Sequence, residues 1–275
     1  MNIEIRDITE IADVKAVEQL QMDVWGGDPG MIVPDHLLVT IQKNGGLLLG
    51  AFDESGEVVG FVLGFLGLTK EGALKHCSHM AGVHPKVRDA NLGYRLKLAQ
   101  RKAVLAQGYD HITWTFDPLE SRNANLNFRK LGAICHTYYR NVYGEMSDEV
   151  NAGMPSDRFE VDWWLKDEPV LARLEERWQP PQFAELEEAG VQVINPSIRG
   201  DLPRPTDRPH KPAGRRYLIE IPRHIHQIKR WDMALAHAWR LQNRALLEEA
   251  FANGYQVTDF IHDQGHSYYL LAAPG

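Results

Sequence analysis

The sequence predicts an α/β (α+β) protein whose mixed sheet carries helices on both faces. The main observation is the order of the patterns: one strand and two helices come first, three strands follow, and a helix and another strand come next. A second observation is the segment Asp53-Glu54-Ser55-Gly56, a turn sequence that joins two of the strands as a hairpin. Further strand and helix patterns after residue 166 predict a second, smaller α/β unit.

The first element is an edge strand over residues 2–6, where polar and apolar side chains alternate. A helix over residues 8–25 follows, and Thr9 can cap its N-terminus. Its buried face is expected at residues that recur with helical spacing, namely Ile11, Val14, Val17 and Leu20. A second, short helix is predicted over residues 34–44. Strands are predicted over residues 47–52, 58–66, 76–83, 111–116, 135–143 and 159–165.

The loop after the strand over residues 76–83 has the features of a phosphate-binding loop. Pro85 ends the strand because it has no N–H to donate. The free N–H groups and the dipole of the helical turn that follows attract anions, and Gly93 leaves room for close backbone approach. Nearby positive charge comes from Lys86, Arg88 and Arg95. An ordinary strand–helix loop, in which Gly93 only turns the chain, would show the same pattern.

The helix after this loop is expected to bury one face and to end at Gly108, which suits a left-handed cap. The expected face consists of residues at three- and four-residue steps, namely Leu92, Leu96, Ala99, Ala103 and Ala106. The strand over residues 111–116 comes next, so strand, loop, helix and strand form one β–α–β unit.

Two motifs frame this unit: Arg88-x-x-Asn91-x-Gly93 and Phe128-Arg129-Lys130-Leu131-Gly132-Ala133. Together they resemble the GCN5-related N-acetyltransferase (GNAT) superfamily, whose loop signature is Gln/Arg-x-x-Gly-x-Gly/Ala and whose second motif ends in Lys-Leu-Gly-Phe. Asn91 replaces the middle glycine, and asparagine tolerates the left-handed conformation better than most residues. Ala133 replaces the final phenylalanine. The resemblance covers roughly residues 1–165, and longer strings within it resemble an uncharacterised branch of predicted acetyltransferases.

The resemblance implies a GNAT-like, mostly antiparallel sheet flanked by helices, and acetyl-CoA as co-substrate without a metal. The implied reaction is direct acetyl transfer to the amine of a small molecule or peptide. Backbone donors are expected from the strand end at residues 82–84. The implied CoA-binding residues are Val83, Arg88, Asp89, Ala90, Asn91, Leu92, Gly93, Tyr94 and Asn123. For Asn123, a role as a helix cap is an equal alternative, and Ser121 is a second candidate for that cap.

The reaction needs a base for the ammonium proton, and three histidines near the loop are candidates. His79 lies on the strand before the loop, and an ordinary histidine pKa near 6.5 suits proton removal at neutral pH. His76 lies three residues earlier and faces the other side of the strand, while His84 lies in the loop. We prefer His79, and a structural strand histidine is the alternative for each of the first two.

The general acid is the main departure from the family pattern. Phe128 stands where the resembling proteins often have a tyrosine, and phenylalanine has no proton to give. Water can protonate the leaving thiolate, and so can a tyrosine of the following strand: Tyr138, Tyr139 or Tyr143. The alternative function is therefore a non-catalytic acyl-CoA-binding or regulatory module. A scaffold protein whose C-terminal half binds a partner is a third reading.

The predicted domains are a GNAT-like acyl-CoA-binding domain over residues 1–166 and a C-terminal α/β unit over residues 167–275. A proline-rich connection over residues 195–214 lies within the second unit. Its predicted elements are a partly helical stretch over 169–189, a long helix over 231–253 and strands over 217–221, 255–261 and 267–271. This unit lacks a phosphate loop of the kind found at Gly93, so we expect it to bind no cofactor of its own.

Composition restricts the partners and the compartment. The 275 residues carry a formal net charge of −7, which disfavours nonspecific nucleic-acid binding because that requires a basic surface. Two cysteines, Cys77 and Cys135, make neither a disulfide framework nor a metal site, so a reducing, cytoplasmic location is the simplest reading. No run of about 18 apolar residues is present, so we expect no membrane span. The acceptor and the oligomeric state, a homodimer included, stay open.

Overall fold

A computed structural model describes residues 2–26, 30, 32–87, 91–146, 152–198 and 200–273. No helix within these ranges combines the length and the apolar composition that crossing a bilayer requires. The α-helices are α1 (Ile11–Trp25), α2 (Asp35–Lys43), α3 (Leu92–Ala106), α4 (Ser121–Ala124), α5 (Glu168–Leu174), α6 (Phe183–Glu188), α7 (Ile225–Trp231) and α8 (Met233–Ala252). The strands are β1 (Glu4–Asp7), β2 (Leu47–Phe52), β3 (Val58–Leu68), β4 (Leu74–Val83), β5 (His111–Phe116), β6 (Ile134–Tyr139), β7 (Arg158–Trp164), β8 (Gln192–Val193), β9 (Arg216–Ile221), β10 (Gln256–Asp263) and β11 (His266–Ala272).

The chain divides into two compact units. The N-terminal unit comprises Met1–Trp114, Ser147–Ala152 and Trp164–Lys166, and the C-terminal unit comprises Thr115–Met146, Gly153–Trp163 and Asp167–Gly275. Compact units and sequence domains are different divisions of the chain. The domain assignment 1–166 and 167–275 therefore stays a prediction.

In the N-terminal unit the strands follow the order β1-β2-β3-β4-β5. The pairs β1–β2, β2–β3 and β3–β4 are antiparallel, and β4 pairs with β5 in parallel. The predicted element order and the mixed, mostly antiparallel sheet of a GNAT-like fold are confirmed. Strand β2 is buried along its whole length, because α1 and α2 pack against the sheet at this point.

The hydrophobic core between the sheet and helices α1 and α2 consists of Ile8, Val14, Val17, Leu20, Val33, Leu38, Leu48, Phe52, Phe61 and Leu63. The prediction that α1 buries Val14, Val17 and Leu20 is confirmed, but Ile11 is wrong, since 58% of its surface is exposed. Ile11 is the first residue of the helix, and the buried face begins one turn later at Val14. Thr9 is not the cap either: Glu10 takes the N-cap position, and its side chain makes no capping hydrogen bond.

Helix α3 buries a different face from the one expected. Leu92 and Leu96 are buried as predicted, but the remaining buried positions are Lys97, Gln100 and Val104 rather than Ala99, Ala103 and Ala106. The expected face followed apolar side chains, whereas the strand opposite α3 presents polar groups that need polar partners. Gly108 follows the helix with φ +89°, which confirms the predicted left-handed glycine at its end.

In the C-terminal unit the strand order is β7-β6-β10-β11-β9-β8. All adjacent pairs are antiparallel except β8 with β9. An aromatic cluster fills its centre, where Phe159 contacts Phe116, Phe128 and Tyr269 with ring centroids 5.4–6.4 Å apart. The long helix predicted over residues 231–253 is confirmed as α8, whereas the shorter α7 before it was not predicted. The Asp232 carboxylate accepts a hydrogen bond from the Leu235 N–H and so starts a new helix.

The proline-rich segment over residues 195–214 carries neither a helix nor a ladder in its described part. It contains one isolated bridge, between Ile198 and Arg204. Proline cannot donate to a ladder, so repeated prolines keep this stretch out of the sheet. The prediction of a surface connection agrees with this irregular backbone.

Candidate functional site

The parallel ladder between β4 and β5 is short. It consists of two residue pairs, His76 with Ile112 and Cys77 with Thr113. Strand β4 then runs on to Val83, and residues 78–83 have no partner on the described part of β5 that belongs to this unit. We call this opening between β4 and β5 the fork. A fork in a sheet leaves backbone N–H and C=O groups along one strand edge available to a ligand.

The pairing of β4 with β3 shows which backbone N–H groups of β4 point towards the fork. The His84 N–H donates to the Val59 carbonyl of β3, at 2.9 Å. Because alternate residues of a strand point their backbone groups to opposite edges, the N–H groups of Ala81 and Val83 point towards the fork. The expectation of backbone donors over residues 82–84 is therefore corrected: Val83 stays a candidate, while His84 is already engaged and Gly82 points to β3.

The loop between β4 and α3 keeps the predicted features in its described part. A 3₁₀ turn over Pro85–Val87 follows the strand. Arg88, Asp89 and Ala90, three of the predicted CoA-binding residues, lie outside the described residues. Asn91 then adopts the left-handed conformation, with φ 53° and ψ 23°, as the N-cap of α3. The prediction that asparagine can replace the family's glycine here is confirmed.

Three further predicted CoA-binding residues, Leu92, Gly93 and Tyr94, form the first turn of α3. The backbone N–H groups of Leu92 and Gly93 belong to the set that the helix itself does not use. Leu92 is buried under the sheet and anchors this turn. The helix N-terminus therefore stands at the end of the strand that borders the fork, and the binding roles of these residues stay predictions.

His79 occupies a β-bulge within the fork segment. Leu63 pairs with Met80 and Gly64 pairs with Ser78, so His79 is the extra residue on β4. Its ring lies 5.8 Å from that of Phe65, and the residue is exposed to solvent. Partial desolvation lowers its pKa even so. Bulges re-aim side chains and are frequent beside active sites, and the imidazole at this one is exposed to solvent.

His76 has a different environment. It is fully buried, and its Nε2 lies 3.2 Å from the Gln100 Nε2 of α3. Burial, with Lys97 as a second cause, lowers its pKa to about 4. Gly64 faces this ring, and a Cβ there would overlap the His76 Nε2. A histidine that stays neutral in this way is a weak proton acceptor at neutral pH, which leaves His76 with a structural role.

His84 lies beside an acidic residue at the end of α1. Its Nδ1 accepts a hydrogen bond from the Lys86 N–H, at 3.1 Å, so in the neutral ring the proton lies on Nε2. That Nε2 is 3.9 Å from the Asp23 carboxylate. This orientation by a carboxylate makes His84 the second candidate base after His79.

Lys97 is a residue that sequence reasoning missed. Its Nζ donates to Ser78 Oγ at 2.8 Å and to Gln100 Oε1 at 3.1 Å, and it lies 3.8 Å from the Trp114 ring centroid. Ser78 and Trp114 are the first residues after the last β4–β5 pair on their respective strands, so Lys97 lies at the apex of the fork. It is 5% exposed, and burial lowers its pKa to about 7. The sequence did contain a signal for a polar partner on α3: His76 and Ser78 are two residues apart on β4, so two polar side chains share one face of this strand.

The candidates for the general acid lie in the C-terminal unit, where each is described by its own contacts. Phe128 is fully buried in the aromatic cluster. Tyr138 donates to Asp157 and Tyr139 donates to Glu160, each at 2.6 Å. Burial raises the pKa of Tyr138, and the bond to Glu160 raises that of Tyr139 to about 12. Tyr143 is exposed, with its hydroxyl 3.3 Å from Thr115 Oγ1.

Asn123 lies inside the short helix α4 and is exposed. The alternative that Asn123 or Ser121 caps this helix is wrong, because Glu120 holds the N-cap position and makes no side-chain capping bond. Ser121 instead shares a hydrogen bond with Ser267, at 3.1 Å. The binding role of Asn123 stays a prediction. Among the described residues, no group of three or more His, Cys, Asp or Glu side chains could hold a metal ion.

No family model and no curated protein matches the chain. Solved structures with a similar fold include the NatC complex bound to Gag peptide and CoA, at 16% identity and a TM-score of 0.49, covering 60% of this chain and 100% of that one. An N-acetyltransferase from Staphylococcus aureus is 19% identical with a TM-score of 0.47, and the match covers 60% of this chain and 100% of that one. A GNAT-family acetyltransferase from Streptococcus pneumoniae is 15% identical with a TM-score of 0.47, and the match covers 58% of this chain and 98% of that one. We base the functional proposal on the fork and its side chains rather than on these similarities.

Proposed function

We propose that this protein is an acyl-CoA-dependent N-acetyltransferase that transfers an acetyl group directly to the amine of a small molecule or peptide. The observation that carries the proposal is the fork between β4 and β5, which opens beside the N-terminus of α3. An extended ligand with amide groups can pair with an open strand edge, as an added strand would. The pantetheine arm of CoA is such a ligand, and its pyrophosphate suits a helix N-terminus.

The residues present fit this co-substrate. The left-handed Asn91 turns the chain into α3, so that the N–H groups of Leu92 and Gly93 open the helix and can meet phosphate oxygens. Ala81 and Val83 offer N–H groups along the fork. These donors also suit an oxyanion, because a backbone N–H that is already aimed at developing negative charge stabilises a transition state.

Bound acetyl-CoA supplies a thioester carbonyl carbon to the attacking amine. His79 takes the proton that the amine must lose, directly or through one water, since it is the exposed imidazole of the fork segment. The leaving thiolate needs little acid assistance, because a thiol has a pKa of about 8.5. Protonation by water then suffices, which fits a phenylalanine at position 128.

The second candidate function, a non-catalytic acyl-CoA-binding module, is favoured by the burial of Phe128. The two functions differ in thiol release. The purified full-length chain should release CoA thiol from acetyl-CoA when a panel of small and peptide amines is supplied. Saturable CoA binding without release for any amine would support the binding module instead.

Gly93→Trp is expected to weaken CoA binding by at least about tenfold. A large side chain in the first turn of α3 would keep the pyrophosphate away from the backbone N–H groups, which each contribute about 1 kcal/mol or more to a charged acceptor. Titration calorimetry with CoA measures the effect. Gly67→Trp on β3 is the control, since a Cβ there meets nothing within 4 Å. Equal CoA affinity in the Gly93 variant and the native chain would exclude this loop.

A further inference from the structure

A cavity of about 550 Å³ lies within the C-terminal unit. Glu120 and Arg122, at the start of α4, form one wall. The other wall comes from α7 and the residues just before it, with Arg223, His226 and Arg230 among its members. This volume is in the range that small ligands occupy. Neither the fork nor the α3 loop contributes a residue to it.

The lining of this cavity is strongly basic. Three arginines and two histidines accompany a single carboxylate, that of Glu120. Glu120 Oε1 lies 2.6 Å from His226 Nε2, and this hydrogen bond raises the pKa of His226. The imidazole thereby compensates the carboxylate, which removes the one group of the lining that would repel an anion.

Two of the arginines lack a counter-ion among the described residues. Neither Arg223 nor Arg230 has a carboxylate in ion-pair distance there, although the protein contains 37 acidic and 30 basic residues. The charge of Arg223 also acts on His262 of β10, whose pKa is lowered by burial and, next in size, by this arginine. The cavity is therefore a region of uncompensated positive charge in an acidic protein.

The packing of α7 against the core fixes the orientation of the side chains that line the cavity. Ile225 and Ile228 are 4% and 2% exposed and attach one face of α7 to the core. His226 and Arg230 are four residues apart, so they lie together on another face of the helix. Trp231 ends α7, lines the cavity and is 76% exposed. The exposed ring places a flat apolar surface beside the cations.

The chemistry selects one class of ligand. Guanidinium groups match carboxylates and phosphates through paired hydrogen bonds. Several cations around one small volume favour a multiply charged anion, and a phosphate monoester carries about −1.5 to −2 at pH 7. The Trp231 ring offers a stacking surface for a base. We propose that this cavity binds a nucleotide, with Arg223 and Arg230 on the phosphate and Trp231 against the base.

The phosphate could belong to a free nucleotide or to the nucleotide part of CoA, and the test distinguishes these sources. Titration calorimetry of the full-length chain would use ADP, adenosine 3′,5′-bisphosphate, CoA, dephospho-CoA and citrate. Arg223→Gln and Arg230→Gln should each weaken binding of the bisphosphate by about tenfold or more, because each removes a charge-assisted hydrogen bond to the phosphate. Arg208→Gln removes the same charge from an exposed position outside the cavity and should change little.

The set of probes that lose affinity in the arginine variants identifies the source of the phosphate. Weaker ADP and bisphosphate binding with unchanged CoA affinity would indicate a separate nucleotide site. Weaker CoA binding with unchanged dephospho-CoA binding would indicate the 3′-phosphate of CoA. The proposal fails if no phosphorylated probe binds, if citrate binds as tightly, or if a variant that combines Arg223→Gln and Arg230→Gln binds these probes as the native chain does. ADP binding should survive in Gly93→Trp, so a failure of the α3 loop as the CoA site leaves this inference standing.

Discussion

His79→Ala is expected to lower kcat by about 10²–10⁴-fold, the usual contribution of a general base. The imidazole is the extra residue of the bulge in β4, exposed within the fork segment, so it can meet an incoming amine. Its exposure also means that the substitution should hardly change the melting temperature or the affinity for CoA. Steady-state assays of thiol release, together with thermal unfolding, measure these quantities.

The pH dependence gives a second test of the same residue. A base must be neutral to accept a proton, so activity should fall as the pH drops through the pKa of His79. Partial desolvation lowers this pKa from its ordinary value near 6.5, which places the acidic limb of the native profile below that value. His79→Ala should lose this limb, because no imidazole remains to be protonated at that step.

Two matched variants make the result specific. His36→Ala removes a histidine of α2 whose side chain is 80% exposed, and it should leave kcat unchanged. His84→Ala tests the imidazole beside Asp23. Full turnover in His79→Ala combined with a large loss in His84→Ala would transfer the role of base to the His84–Asp23 pair.

Much of the N-terminal unit could be predicted from local patterns. The strands over residues 47–52 and 111–116 begin and end where expected, because buried strands are continuous apolar or β-branched runs between turn residues. Asn91 was predictable for a similar reason: the left-handed conformation is a property of a single residue. Such features depend on near neighbours in the chain.

The features that sequence reasoning missed depend on partners far along the chain. Lys97 and Gln100 are buried because Ser78 and His76 lie opposite them, and a helical pattern that counts only apolar residues ranks the alanines higher. The bulge at His79 exists only in relation to β3. Helix α7 was missed because its buried face consists of only Ile225 and Ile228, too few positions for a recognisable helical period.

Lys97→Met is expected to raise the free energy of unfolding by about 2 kcal/mol at pH 7, because a buried charge without a carboxylate partner costs more than a methionine of similar length. No carboxylate lies in ion-pair distance of Lys97 among the described residues; its contacts are a hydroxyl, an amide oxygen and an indole ring. Methionine keeps the packing against Trp114. Ser78 and Gln100 can still bond each other, since they are 3.1 Å apart.

The sign of the pH dependence follows from the lowered pKa. Lys97 has a pKa of about 7 in the folded chain and the ordinary value of 10.5 in the unfolded one. Between these values the unfolded state holds the extra proton, so the contribution of Lys97 to stability rises with pH and is flat below about 7. In Lys97→Met this rise should disappear. Urea unfolding at pH 6, 7, 8 and 9 measures the difference.

The control is Lys102→Met on the same helix, where the side chain is exposed and neither the stability nor its pH dependence should change appreciably. A Lys97 variant that is less stable than the native chain at pH 7 would mean that its three contacts outweigh its desolvation. If the variant is more stable but loses turnover, the function of Lys97 depends on its position at the apex of the fork, where it contacts the residue after the last β4–β5 pair on each strand. A more stable variant with full turnover would leave the buried amine without a catalytic purpose.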